Sequence, residues 1–481
     1  MTKSAAGVQV RFVLFLWVLI GGFSVFSACA SSGDSAPADE DTDEGVEGDG
    51  ESAPDGDADE SAEQEEAAEV DGDADPEIDG DGDDSEEDES TEPPTPIAEQ
   101  TFAAFEPWAT PIEDFIAVGE EEDIAGFYRG IHELMPYNDR LYIGYGDGTY
   151  NLGEYVPIEF RYFASPDDTQ ITSEFASSEE QIDRYRILDG ELYQAGIDAI
   201  DADEIPARPL IIGNVYRWLA DGGWRKYRSI PGAEHVEDVA SFDGAIFAVG
   251  SGADNRSEWD RGQIFRYLWR SDDRGESFTT VTRSVNQTFG NDTRWVHLLP
   301  AGDSLFLFGY RMTGADSGVL VNARFDGGTV EELPTDDPLD AFNALDPVYA
   351  LGTYPLPDGT GLLIGVDVSL PPDERRLQMW HIAADGTPTV VSELAGKTIV
   401  DVSVREETAE ILYLVYEGDG LLEEPNPFPV SVLVAPASSP GSTTTLATFE
   451  TELRPRSIAF WQGALFYGND VGEIWKAAGA P

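Results

Sequence analysis

Turns of the Asp-Gly kind, each followed by a short apolar strand, recur about every fifty to sixty residues, a period that marks a repeat architecture whose units cannot bury their own faces. The unit is written Asn138-Asp139-Arg140-Leu141-Tyr142, Asp189-Gly190-Glu191-Leu192-Tyr193, Asp243-Gly244-Ala245-Ile246-Phe247 and Gly302-Asp303-Ser304-Leu305-Phe306. It continues at Asp358-Gly359, more weakly at Glu410-Ile411-Leu412-Tyr413, and ends at Gln462-Gly463-Ala464-Leu465-Phe466. A strand of alternating polarity precedes each turn, as in Val236-Glu237-Asp238-Val239-Ala240-Ser241-Phe242, so each pair reads as a hairpin. A second hairpin follows in the first six periods, marked by Pro166-Asp167-Asp168, Asp221-Gly222-Gly223, Asp273-Arg274-Gly275, Asp326-Gly327-Gly328, Asp385-Gly386 and Pro440-Gly441.

Two hairpins per period make a four-stranded sheet, and radial stacking of such sheets buries their faces while leaving only short edges. The expected fold is all-β, a β-propeller of seven four-stranded blades. A linear solenoid would need polar capping repeats, and the sequence offers none. Because the last period lacks its second hairpin, the missing outer strand should come from the start of the domain. The candidates are Thr101-Phe102-Ala103-Ala104-Phe105 and the apolar stretch from Ile112 to Val118.

Ahead of the repeats the composition changes sharply. Residues 1–28 carry a basic start (Lys3, Arg11), an apolar run from Phe12 to Phe26 and then Ser27-Ala28, the layout of an export signal. The run is short of the roughly 20 residues a spanning helix needs. Cys29 is the only cysteine, so no intramolecular disulfide forms and stability must come from packing. Its position resembles the lipobox of bacterial lipoprotein signal peptides, with Phe26 where Leu is commoner. The resemblance implies that Cys29 is acylated and becomes the N-terminus, holding the protein to the lipid bilayer. With Ala30 rather than Asp after it, the resemblance further implies the outer membrane, on a side the sequence does not fix.

Residues 31–100 contain 31 Asp and Glu and no Lys or Arg. Low hydrophobicity with so large a charge keeps such a segment disordered and extended. Residues 29–100 are therefore read as an acidic tether and 101–481 as the propeller domain. The alternating aspartates suggest calcium, but Pro76 stands where an EF-type loop needs glycine and Gly82 where it needs Glu. Diffuse, weak divalent-cation binding is expected and no cofactor. Beyond residue 100, 63 acidic residues face 26 basic ones. Such a surface argues against nucleic acid as a partner, and a monomer is expected.

Within the third repeat, Ser271, Asp273, Gly275 and Phe278 form a pattern that resembles the Asp-box, or BNR repeat, of sialidase-like propellers. The resemblance implies a structural turn rather than a catalytic one. Asp and Ser accept backbone N–H groups, Gly takes the positive φ, and the aromatic residue packs into the blade. Tyr185-Arg186-Ile187 is superficially similar to the first arginine motif of sialidases, but Leu188 replaces the expected proline, and the site is not carried over.

Innermost strands converge on a central channel, so residues five or six before each first turn should share a mouth. They are Glu133, Arg184, Asp238, His297, Thr353, Asp401 and Arg456. His132, His235 and His381 lack metal-ligand spacing, and no metal site is expected. Trp259 and Phe428, on polar connections, are candidates for exposed aromatic contacts, whereas Trp269 and Tyr216 sit at core positions. No catalytic signature stands out. The reading is a non-catalytic platform in the cell envelope that binds an envelope protein or a glycan. The alternative is a glycan-active hydrolase or lyase using Glu133, Asp238, His297 and Asp401 as acids or bases.

Overall fold

The computed structural model describes residues 96–122, 124, 126–148, 152–197, 210–259, 261–284, 293–314, 317–333, 345, 348–371, 374–418 and 425–479. The expectations for the export signal, for Cys29 and for nearly all of the acidic segment fall outside the described residues.

The turn chemistry does what the sequence asks of it. At Asn138 and Asp139 (φ 47° and 61°), Asp189 and Gly190 (51° and 80°), Asp243 and Gly244 (48° and 72°), and Gln462 and Gly463 (45° and 82°), both central residues are left-handed. This is the mirror-image turn whose twist matches that of paired strands. Turns at this place join the first two strands of antiparallel meanders, four-stranded over residues 133–176, 185–231, 233–283, 293–332, 348–390 and 397–451 and three-stranded over 455–478. We number them blades 1 to 7. Blade 4 carries an additional strand, Ser317–Leu320, beside Ser304–Gly314. Successive blades pack on one another and blade 7 packs on blade 1, so the sheets form a closed seven-bladed β-propeller.

Blade 7 supplies three strands of its own, and Glu106–Ala109 pairs with Ile474–Ala478 as the fourth. The closing strand thus lies between the two stretches expected from the sequence. Trp108 fixes it there, with its ring 4.4 Å from that of Phe163 in blade 1 and 4.8 Å from that of Phe466 in blade 7. Phe102 forms no strand; its backbone makes an isolated bridge to Gly479 and its ring lies 6.1 Å from that of Phe460. The stretch from Ile112 to Val118 is instead part of a helix, Glu113–Glu121. Ile112, Phe115 and Ile116 stand at helical spacing, and the first two are fully buried. The folded domain also starts before residue 101. Ile97 is completely buried, and the backbone N–H groups of Ile97 and Ala98 donate to the Glu410 carboxylate of blade 6 at 3.0 and 3.2 Å.

Aromatic side chains fill the spaces between blades, as expected for Trp269 and Tyr216, both fully buried. Between blades 1 and 2, Phe160 stacks on Trp224 at 4.1 Å, with Tyr185 and Tyr216 around them. The ring has two ends. The turn side bears the first hairpin turns, and the loop side bears the connections between the second and third strands of each blade. Among the described residues no helix is long and apolar enough to cross a membrane.

Candidate binding site in the channel

Strand register defines which residues are equivalent around the channel. The last pairs before the first turns are Tyr137↔Arg140, Leu188↔Glu191, Phe242↔Ala245, Ala301↔Ser304, Pro355↔Gly361, Arg405↔Glu410 and Trp461↔Ala464. In six blades the same step back leads to Glu133, Arg184, Asp238, His297, Asp401 and Ser457. In blade 5 the residue following the bulge, Gly352, takes that place. Five of the seven positions chosen from the sequence therefore belong to one ring. Thr353 is one residue beyond it, because the blade 5 turn is longer than the two-residue turns. Arg456 is one residue short, lying at the bulge between Pro455 and Ser457.

Much of this ring holds neighbouring blades together. Glu133 of blade 1 accepts the Tyr185 N–H of blade 2. Asp238 of blade 3 accepts the Leu298 N–H of blade 4 at 2.9 Å, and Asp401 of blade 6 accepts the Ile458 N–H of blade 7 at 2.8 Å. Each donor directly follows a ring position, so one motif recurs three times. Ser457 closes the circle by donating its hydroxyl to the Ile131 carbonyl at 3.0 Å, and Thr353 donates to the Leu298 carbonyl at 2.8 Å.

Arg186 crosses the channel. Its Nε and Nη2 donate to both oxygens of Asp238 at 2.9 and 2.7 Å, and its Nη1 reaches the Thr353 carbonyl in blade 5 at 2.9 Å. Burial opposes the Asp238 charge, but the Arg186 guanidinium outweighs it and holds the carboxyl below its ordinary range. Arg184 lies beside this bar, its Nη1 3.4 Å from the Thr353 carbonyl and its guanidinium 5.2 Å from the centre of the Tyr354 ring. A Cβ on Gly352 would stand 3.4 Å from Arg184 Nη2 and 3.1 Å from the Tyr354 hydroxyl, so glycine leaves room for both groups.

On the turn side, Glu133, Arg184, Arg186, Tyr354 and Asp401 border a cavity of about 460 Å³ whose wall includes Phe460 and Arg405. Burial pushes the Glu133 carboxyl up to about 8, against the pull of Arg184, and the Asp401 carboxyl up to about 7. Burial and Arg184 push His297 down to about 3, so its imidazole is neutral. The channel thus brings together two carboxyls that titrate near neutrality, an arginine and a neutral histidine.

Arg456 belongs to a second group toward the loop side. Its guanidinium lies 5.2 Å from the Tyr128 ring centre, and that ring is 4.4 Å from the ring of His132. His132 Nδ1 is 3.1 Å from Asp183, and Nε2 is 3.0 Å from the Gly146 carbonyl. Burial lowers His132 to about 4 and raises Asp183 to about 7. No group among the described residues has the makeup of a metal site.

The chain matches no protein-family model and no curated protein. Solved structures similar to it include two lyases and a β-propeller domain. Virginiamycin B lyase from Staphylococcus aureus is 10% identical, with 73% of this chain and 95% of that one covered and a TM-score of 0.38. An ulvan lyase of polysaccharide lyase family PL25 is 12% identical, with 72% and 90% covered and a TM-score of 0.42. The β-propeller domain of the trilobed protease from Pyrococcus furiosus is 9% identical, with 73% and 94% covered and a TM-score of 0.40. No residue role or activity is transferred at such distance.

The remaining candidates lie away from the cavity. Trp259 is half-buried in a short helix, Arg256–Trp259, on the loop side, its ring 5.8 Å from that of His235. Phe428 is not an exposed contact. It opens the strand Phe428–Pro436, is buried, and packs edge-on against Tyr416 at 5.2 Å. The turn at 271–278 lies on the outer rim of the turn side. Ser271 Oγ receives the Gly275 N–H and donates to Asp273 at 2.7 Å each, and Asp273 accepts the Ser277 N–H at 2.9 Å. Gly275 has φ 92°, and Phe278 is buried against blade 2.

Sequence reasoning missed Arg186, Tyr354 and Arg405 as channel groups. Arg186 stands two residues after Arg184, in the strand Tyr185–Leu188 that Arg184 immediately precedes, a signal that was present. The inward course of Tyr354 depends on blade 5's longer turn and carried no local signal.

Proposed function

We propose that the chain is an exported lipoprotein of the cell envelope, anchored through Cys29, whose propeller is a non-catalytic platform. It binds a glycan or an envelope protein at the turn-side mouth of the channel. The observation that carries binding over chemistry is the commitment of the ring. Asp238, one of the four candidate acids or bases, is tied by Arg186 and the Leu298 N–H, and His297 stays uncharged. The hydrogen bonds at 271–278 support reading that turn as an Asp-box of structural purpose. The platform reading is tested by screening the protein against envelope glycans and envelope proteins beside a panel of glycosidase and lyase substrates. It predicts a complex and no turnover, and turnover without a stable complex refutes it. Anchoring is tested by Cys29→Ser, which should move the protein from the membrane fraction to the soluble one.

One observation favours a glycan-active enzyme instead. Glu133 and Asp401 border the cavity with carboxyls raised to about 8 and 7, the range suited to a general acid and base. That reading predicts measurable hydrolysis or elimination, reduced at least about a hundredfold by Glu133→Gln or Asp401→Asn.

A further inference from the structure

We propose that the turn-side cavity is a receptor for the carboxylate group of an acidic ligand, with the Arg184 guanidinium as its anchor. The inference rests on the binding reading above and adds the chemistry of what is bound.

Three arginines line the cavity, and two are engaged. Arg186 is bidentate to Asp238. Arg405 is 3.0 Å from Glu407 and 3.0 Å from Glu410. Among the described residues no carboxylate lies within ion-pair distance of Arg184. Its one hydrogen bond is the long contact to the Thr353 carbonyl. A guanidinium presents five donors in a planar fork that fits a carboxylate with two parallel bonds. Gly352 keeps the space beside Nη2 open. The cation is half-buried, so a ligand that pairs with it does so in surroundings where the attraction is less screened than in water.

Besides the adjacent Asp183, which burial raises to about 7 and which lies 3.1 Å from His132, the charges around Arg184 come from each blade in turn. Blade 1 contributes Glu133 and blade 6 contributes Asp401, each with one oxygen committed to a backbone N–H. Below their raised pKa values both are carboxylic acids, which add O–H donors for an incoming carboxylate rather than repelling it. Asp238 of blade 3 is neutralised by Arg186. His297 of blade 4 is neutral, and burial raises the Tyr354 phenol of blade 5 so that it is uncharged too. At the rim, Asp189 accepts the Ser241 hydroxyl, Glu407 pairs with Arg405, and Glu406 is exposed. Blade 7 brings the uncharged Ile458 and Phe460. In mildly acid solution the floor carries one net positive charge. As pH rises through 7 and 8, Asp401 and Glu133 ionise, the floor becomes negative, and the anion is released.

The test is calorimetric titration of the full chain in mild detergent with four probes: a glucuronate disaccharide, its glucose counterpart, an acetylated dipeptide with a free C-terminus, and that peptide's amide. Expected is binding of an acid over its neutral partner at about pH 6, weakened at least tenfold at about pH 9. Either the sugar acid or the peptide acid satisfies the inference, and the stronger one identifies the source as glycan or protein. Arg184→Met should abolish acid binding at both pH values. Glu133→Gln with Asp401→Asn, which keeps both acceptors for the backbone N–H groups, should remove most of the pH dependence and leave only the part that Asp183 contributes. This second variant decides the matter should Arg184→Met fold poorly. Equal binding of acid and neutral partners, or acid binding with unchanged pH dependence in the double variant, overturns the carboxylate inference and leaves the platform reading standing. Binding of no probe overturns the inference, while the platform reading is judged separately by the envelope screen.

Discussion

Asp238 shows how a polar residue facing a channel can be mistaken for chemistry. From the sequence it is an acid in a ring of polar groups. In the structure its two oxygens hold a guanidinium from one neighbouring blade and a backbone N–H from the other. Removing one partner of such a buried pair leaves an uncompensated charge, so Asp238→Ala should cost about 3–5 kcal/mol in urea unfolding. Its folded pKa lies below the unfolded one, so its contribution is complete above about pH 4 and is lost as pH falls further. Glu133 has the opposite sign. Folding raises its carboxyl to about 8, so the native state keeps a proton that the unfolded chain has lost, and stability falls as pH rises from about 4.5 to 8. Glu133→Gln should flatten that fall, as read from unfolding free energies at about pH 5 and about pH 8. Four ring residues, Glu133, Arg184, Asp238 and His297, were legible because two-residue turns set a fixed count back to the channel, and Asp401 was reached although its blade has a four-residue turn. Thr353 was misplaced where a longer turn altered the count, and Arg456 because it was counted six residues back from a two-residue turn where the ring residue, Ser457, is five back.

Among the elements, the hairpins were the most readable, since Asp-Gly and Asn-Asp sequences demand the left-handed φ values observed at Asp189, Gly190, Asn138 and Asp139. The closing strand was not. Glu106–Ala109 is four residues long and contains Pro107, too short and irregular for alternation to reveal. Its place is decided by Trp108 lodging between blades 7 and 1. A chain lacking residues 1–110 should therefore melt well below one lacking only 1–95, and the latter should match the full chain in a thermal scan. The 271–278 turn makes a smaller prediction. Gly275 sits at φ 92°, so Gly275→Ala should cost on the order of 1 kcal/mol through backbone strain, with the blade otherwise intact.

For the whole molecule, the period in the sequence implied a ring because four-stranded sheets of this size bury their faces only by stacking on copies of themselves. Seven blades and an N-terminal closing strand are observed. What the ring binds was not legible, because the decisive property is the state of Arg184. That state depends on which carboxylates Arg186 and Arg405 engage, a matter of three-dimensional partnership between distant repeats. The excess of acidic over basic residues beyond residue 100 predicts that added salt raises the melting temperature from low ionic strength, as mutual repulsion is screened. The central claim is that the channel ring serves architecture, leaving the cavity for binding. Unfolding free energy and turnover on the glycan panel, measured together for the wild type and Asp238→Ala, test it most directly. The account predicts a loss of several kcal/mol in stability with no turnover in either protein; unchanged stability together with a wild-type turnover that the substitution abolishes would contradict it.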